Sequence, residues 1–335
     1  MMSIRFISSE RAIGAFVAGI IVCASLTLIL MNKPAKKDVG RRIENQPVLN
    51  LRQPIDPALV LYKETSSPIH TGFSWARSIA VGPDDRIYVS GGQEIRAFEP
   101  SGERLPFAVT LQNEATALTV SKDGTLYAGA EDHIETYDSS GQLKERWKPN
   151  NSKSFITSIG VWEENVLAAD FGARTVYRYD LHGNEKGSFG DFVLPSYYFD
   201  LAISPNGIAH VVNTGKHRVE SYNPDGNLTS WWGEFSNDDV KKFCGCCNPV
   251  NFTLLPNDEG FVTCEKGITR VKVFDKEGTF LGFVAAPDQF SRHDSLSAVP
   301  DYCFSGLGLD VAIDSKGRIL ILDPALAQVR IFARI

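Results

Sequence analysis

The chain has no excess of positive charge, no haem-attachment motif, and no nucleophile and base at a spacing that predicts catalysis. The first two absences each close off a class of function. Lys and Arg number 34 against 40 Asp and Glu, a formal net charge of −6, whereas phosphate binding needs a basic face. No basic stripe runs through residues 58–335, so nucleic acid is not an expected partner. No Cys-x-x-Cys-His occurs, which removes covalent haem.

A cleavage site is also missing where one would be sought. Residues 12–31 run for twenty positions without a charge, about the length a helix needs to cross a hydrocarbon layer roughly 30 Å thick. A cleaved leader has a shorter apolar run ending in small residues, and this one ends in Leu28, Ile29, Leu30 and Met31. Cys23 follows Ile-Ile-Val, which does not suit a lipoprotein. The expectation is an uncleaved transmembrane signal anchor over 12–31, after a short tail (1–11) and before a polar, proline-bearing linker (32–57). Lys33, Lys36, Lys37, Arg41 and Arg42 outnumber Arg5 and Arg11, which by the positive-inside rule keeps the domain in the cytoplasm. Short-tailed N-terminal anchors and the cysteine usage point the other way. The reading adopted is a bacterial cytoplasmic membrane with the domain on the extracytoplasmic, periplasmic side.

What is abundant is a strand-turn-strand phrase. Gln-Glu-Ile-Arg-Ala-Phe-Glu-Pro-Ser-Gly (93–102) returns as His-Ile-Glu-Thr-Tyr-Asp-Ser-Ser-Gly (133–141), Thr-Val-Tyr-Arg-Tyr-Asp-Leu-His-Gly (175–183), Arg-Val-Glu-Ser-Tyr-Asn-Pro-Asp-Gly (218–226) and Arg-Val-Lys-Val-Phe-Asp-Lys-Glu-Gly (270–278). A sixth copy, Gln-Val-Arg-Ile-Phe-Ala-Arg, occupies 328–334. Alternating apolar and polar residues mark a strand with one buried face, and the Gly supplies the positive φ of a tight turn. Strands repeating at roughly 40 residues mean propeller blades. The expected fold is all-β, a six-bladed propeller over 58–335, with innermost strands at 77–82, 115–121, 157–162, 200–204, 251–255 and 309–314. The sixth blade stops at its third strand, and an open edge pairs with anything. The isolated strand at 58–65 is therefore expected to supply the missing outer strand and close the ring.

The segments Asn-Thr-Gly-Lys-His-Arg-Val-Glu-Ser-Tyr-Asn-Pro-Asp-Gly (213–226) and Glu-Lys-Gly-Ile-Thr-Arg-Val-Lys-Val-Phe-Asp-Lys-Glu-Gly (265–278) resemble NHL repeats. The resemblance covers most of 73–335 and is degenerate in blades one and two, where no His-Arg pair survives. It implies a six-bladed propeller and leaves function open, because a fold does not carry one activity.

In a propeller, the loops leading into the innermost strands and those joining second to third strands share one face, around the mouth of the central channel. That rule places Cys244, Cys246 and Cys247 in the inbound loop of blade five, Cys264 at the end of its second strand, and Cys303 in the inbound loop of blade six. All five are expected in one sector. Disulfides in an exported protein are one reading; a thiolate site for zinc or copper(I) is the other. A Cys246–Cys247 bridge is disfavoured, since adjacent Cα atoms lie about 3.8 Å apart against a usual minimum near 4.4 Å.

Asp200, Asn251 and Asp310 begin innermost strands and are the polar ligand candidates. Trp75, Phe155, Tyr197, Tyr198, Phe199, Tyr302 and Phe304 occupy inbound loops and form an expected binding surface, part of which wedges blades together. His133, His217 and His293 fall near the same face. Asp170, Asn213, Glu265 and Asp323 recur at one blade position, as acceptors for loop backbone. Insertions at 236–247 and 285–304 are expected to cap the cysteine sector. The functional expectation is a membrane-tethered binding or scaffolding module for a protein or small-molecule ligand. Two alternatives stand beside it. One is metal-dependent hydrolysis of the gluconolactonase type, in which Glu, Asn and Asp hold a divalent cation such as calcium. The other is thiol or metal redox chemistry at the cysteines, with zinc or copper.

Overall fold

The computed structural model describes residues 55–148, 151–267, 269–285, 289–290 and 308–335. The expected anchor at 12–31 and its tail, most of the linker, and Cys303, Tyr302, Phe304 and His293 lie outside the described residues.

After β1 (Tyr62–Glu64) and β2 (Ile69–His70), the chain lays down five four-stranded antiparallel sheets in succession. These are β3 to β6 (Ile79–Val81, Ile87–Gly91, Glu94–Phe98, Arg104–Thr110), β7 to β10 (Ala115–Val120, Leu126–Ala130, His133–Tyr137, Leu143–Arg146), and β11 to β14 (Ile156–Trp162, Asn165–Asp170, Thr175–Tyr179, Glu185–Phe189). Then come β15 to β18 (Leu201–Ile203, Ala209–Asn213, Arg218–Tyr222, Leu228–Trp232) and β19 to β22 (Asn251–Leu254, Gly260–Glu265, Arg270–Asp275, Phe280–Ala285). The sixth sheet has β23 to β25 (Asp310–Ile313, Ile319–Asp323, Gln328–Arg334). The first strands of the six sheets neighbour one another in a circuit that returns from β23 to β3. This is a six-bladed propeller.

The turn chemistry explains why each copy of the phrase folds as a hairpin. Asp138, Asp180, Asn223 and Asp275 turn a side-chain oxygen back onto the backbone N–H four residues on. The following Gly adopts positive φ at Gly141, Gly183, Gly226 and Gly278. At Gly183 and Gly278 the lack of a side chain also makes room: a Cβ would lie 2.4 Å from the Trp147 and Trp232 rings, respectively. The turn of one blade therefore packs on an aromatic from the blade before it.

The apolar faces do not form one central core. They make six buried clusters, one between each pair of neighbouring blades, such as Val176, Phe192, Phe199 and Val211 between blades three and four. A flat sheet can bury both faces only against other sheets, and the ring gives every blade two neighbours.

On the sixth sheet, β1 lies antiparallel to β25 with Tyr62 opposite Arg334 and Glu64 opposite Phe332. Arg330 holds Glu64 through two hydrogen bonds of 2.9 and 2.7 Å. Val60 bridges to Phe283 on blade five, and Tyr62 is buried in the cluster between blades five and six.

Candidate functional site

The six innermost strands enclose a cavity of about 300 Å³. Asp200, Asn251 and Asp310 line it, as do Trp75, Tyr197 and Tyr198. The first three also have a second task. A ring of hydrogen bonds passes from blade to blade around the channel, and each of them supplies one step. Ser90 donates to the Ala115 carbonyl, Thr116 to Ile156, and Thr157 to Phe199. Between blades four and five, Asp200 Oδ2 accepts from the Phe252 N–H at 2.8 Å. Asn251 Nδ2 donates to the Leu309 carbonyl at 2.8 Å, and Asp310 Oδ2 accepts from the Ile79 N–H at 2.9 Å. The sequence marks these residues as channel-lining; the structure adds that they join neighbouring blades.

Two carboxylates in this ring face each other's field. Asp200 Oδ1 accepts from Ser158 Oγ at 2.6 Å and from the Leu201 N–H. Burial, with the Asp310 charge next in size, nonetheless pushes Asp200 up to about 7. Burial raises Asp310 as well, against the pull of the Ile79 and Val311 N–H groups, Ser78 and Arg77. Desolvation penalises the charged form of each, and at Asp200 repulsion from Asp310 adds to it.

The mouth of the cavity is aromatic and cationic. Tyr197 and Tyr198 stack with centroids 4.9 Å apart. The Arg77 guanidinium sits 5.0 Å above the Tyr197 ring and the Lys266 ammonium 5.1 Å above Tyr198. Both distances are within cation–π range. Tyr198 accepts the Gly308 N–H on its hydroxyl, which fixes its ring across the channel. Trp75 and Tyr197 remain 36% and 40% exposed. Phe199 is different: it is buried in the cluster between blades three and four and serves packing.

The cysteines of blade five divide among three surroundings. Cys264 is a free thiol buried in the cluster between blades five and six, where desolvation first and Asp310 and Asp200 next hold it far above the ordinary thiol range. Its side chain fills apolar space between the two blades. Cys244 lies beside the buried Glu265, Lys272 and Arg270, and its sulfur accepts from Arg270 at 3.8 Å. Burial, followed by the Glu265 charge, lifts Cys244 to about 11. Cys246 and Cys247 bring their sulfurs within 3.2 Å of one another. Burial raises the Cys247 thiol, but Ser196, Lys266 and Cys246 outweigh it and bring it below the ordinary value.

His217 does not point into the channel: its Nε2 meets the Gly245 carbonyl at 2.8 Å and its ring packs on Phe235. His133 is engaged with Asp132 and Glu135. Asp170 holds the Phe155 and Ala173 N–H groups, Asn213 holds Val193, Glu265 holds Cys244, and Asp323 holds Ala325 and Leu326. These four are loop acceptors. Among the described residues no group of three or more His, Cys, Asp or Glu side chains gathers to hold a metal ion. Sequence reasoning did not single out Arg77, Ser158, Ser196 or Lys266, since a lone Ser, Lys or Arg carries no pattern.

No protein-family model matches the sequence, and no curated protein matches it. Solved structures resemble it in fold. A streptogramin B lyase structure superposes at TM-score 0.55 with 10% identity, over 84% of this chain and all of the other. Virginiamycin B lyase from Staphylococcus aureus gives 0.53 and 12%, over 82% and 100%. A protein of unknown function from Bacteroides caccae gives 0.52 and 16%, over 66% and 85%. At such identities the likeness is one of fold.

Proposed function

We propose that this chain is a binding module of the NHL type, tethered to a membrane through residues 12–31, with the channel mouth as its working face. In this reading the pairing of β1 with β25 closes the ring. The observation that carries the proposal is the mouth itself: Trp75 and Tyr197 are partly exposed at a cavity of about 300 Å³, with the Arg77 guanidinium beside Tyr197. Concave sites lined by aromatics with a few placed polar groups are what small ligands occupy. A ring-bearing small molecule would lie against Trp75 and the exposed edge of Tyr197 and present a negative or acceptor group to Arg77.

Two of the structural neighbours are named lyases, and a carboxyl titrating near neutrality in a cavity is a general acid–base candidate. Against an enzymatic role stands the use already made of Asp200. Its two oxygens accept three hydrogen bonds, from Ser158, Leu201 and Phe252, and such a group is poorly placed to shuttle a proton.

The test is a thermal-shift panel of small ring-bearing anions against the full chain and its Trp75→Ala and Tyr197→Ala variants. Compounds that raise the melting temperature of the parent should bind each variant at least about tenfold more weakly, the effect of about 1.4 kcal/mol. A panel with no binder, or binders indifferent to both substitutions, would sink the proposal.

A further inference from the structure

We propose that Cys246 and Cys247 form a chelating dithiol that captures a soft, pyramidal, thiophilic centre such as a trivalent arsenical. This site adjoins the channel mouth at Lys266 but does not depend on the reading above.

The geometry selects the class of ligand. The two sulfurs stand 3.2 Å apart. With metal–sulfur bonds of about 2.3 Å, a tetrahedral ion needs sulfurs roughly 3.8 Å apart and a linear one roughly 4.6 Å. A separation of 3.2 Å subtends about 90° at that bond length. That angle suits a three-coordinate centre with a lone pair, whose bonds lie close to right angles. Thiolates are the ligands soft centres prefer.

The loop is held for this purpose on both sides of the pair. Asn248 donates to the Cys244 and Lys266 carbonyls and accepts the Lys266 N–H. His217 meets the Gly245 carbonyl from blade four. The Ser196 hydroxyl is shielded from solvent, and it neighbours the Cys247 sulfur, as does Lys266. Cys247 is buried and Cys246 partly exposed, so a reagent arrives through Cys246 and is closed in by Cys247. The same adjacency that favours chelation opposes a bridge within the pair, since neighbouring Cα atoms are closer than a disulfide prefers.

Phenylarsine oxide is the probe. Two As–S bonds form and the arsenic–oxygen bond breaks; the two thiol protons leave with the oxygen as one water, and no electron is transferred. Intact-mass measurement on the reduced full chain should find one phenylarsenic group per molecule. Cys246→Ser and Cys247→Ser should each weaken capture at least tenfold, while Cys244→Ser leaves it unchanged. In the parent protein, the arsenical should also block maleimide labelling of Cys246 and Cys247, mapped by peptide, a readout that needs no variant to fold. Absence of the adduct, capture that survives both substitutions at the pair, or unprotected labelling of Cys246 and Cys247 would each overturn the assignment.

Discussion

Asp200 shows how much one side chain can be asked to do in a closed ring. It lines the cavity, bonds to Ser158 on blade three and to Phe252 on blade five, and keeps its proton to about pH 7, against roughly 3.9 in an unfolded chain. Because the folded value is the higher one, its contribution to stability is complete below about pH 4 and is lost as pH rises through about 7. Asp310 is raised in the same sense. The urea midpoint should therefore fall between about pH 5 and pH 8, and Asp200→Asn should flatten that slope. The variant turns an amide donor toward the Phe252 N–H and should cost about 1–3 kcal/mol at any pH. A slope identical in parent and variant would show that Asp200 titrates normally. At this scale the sequence is a partial guide. Asp200 is recognisable as the first residue of an innermost strand, but Ser158 comes 42 positions earlier, and no local pattern joins the two.

Among the elements, β1 takes its role from outside its own stretch. Three residues cannot hold a strand by propensity. Tyr62–Glu64 is fixed by its ladder to β25, by the Arg330–Glu64 pair and by burial of Tyr62. Tyr62→Ala should destabilise by roughly 3 kcal/mol, as large-to-small changes in a core do. Glu64→Ala, which breaks a partly exposed pair, should cost no more than about 1 kcal/mol. Removal of residues 58–65 should lower the melting temperature of the whole domain and leave β25 as an edge prone to association. Scanning calorimetry with light scattering measures both effects, and a deletion variant that melts like the parent would assign the segment to decoration. The hairpins are easier to read, because Asp or Asn at the first turn position and Gly three residues on act within one stretch of chain.

For the whole molecule, the proposed membrane placement has its own test. With residues 12–31 as an anchor and the propeller outside, protease added to intact spheroplasts should cleave the propeller; protection until lysis would put the domain in the cytoplasm, as the flanking lysines and arginines alone imply. The repeat period, the alternation along each strand and the turn glycines determined by themselves that the chain is a six-bladed propeller, because those forces act between residues a few positions apart. The sequence also brought Cys244, Cys246, Cys247 and Cys264 to blade five. Only the tertiary structure separated them into a core thiol at Cys264, a thiol among buried charges at Cys244 and a close pair at Cys246 and Cys247. It likewise decided that Asp200, Asn251 and Asp310 bind neighbouring blades together. The physical reason is range: desolvation, charge coupling and hydrogen bonds between blades depend on residues some 40 to 230 positions apart, which meet only when the ring closes.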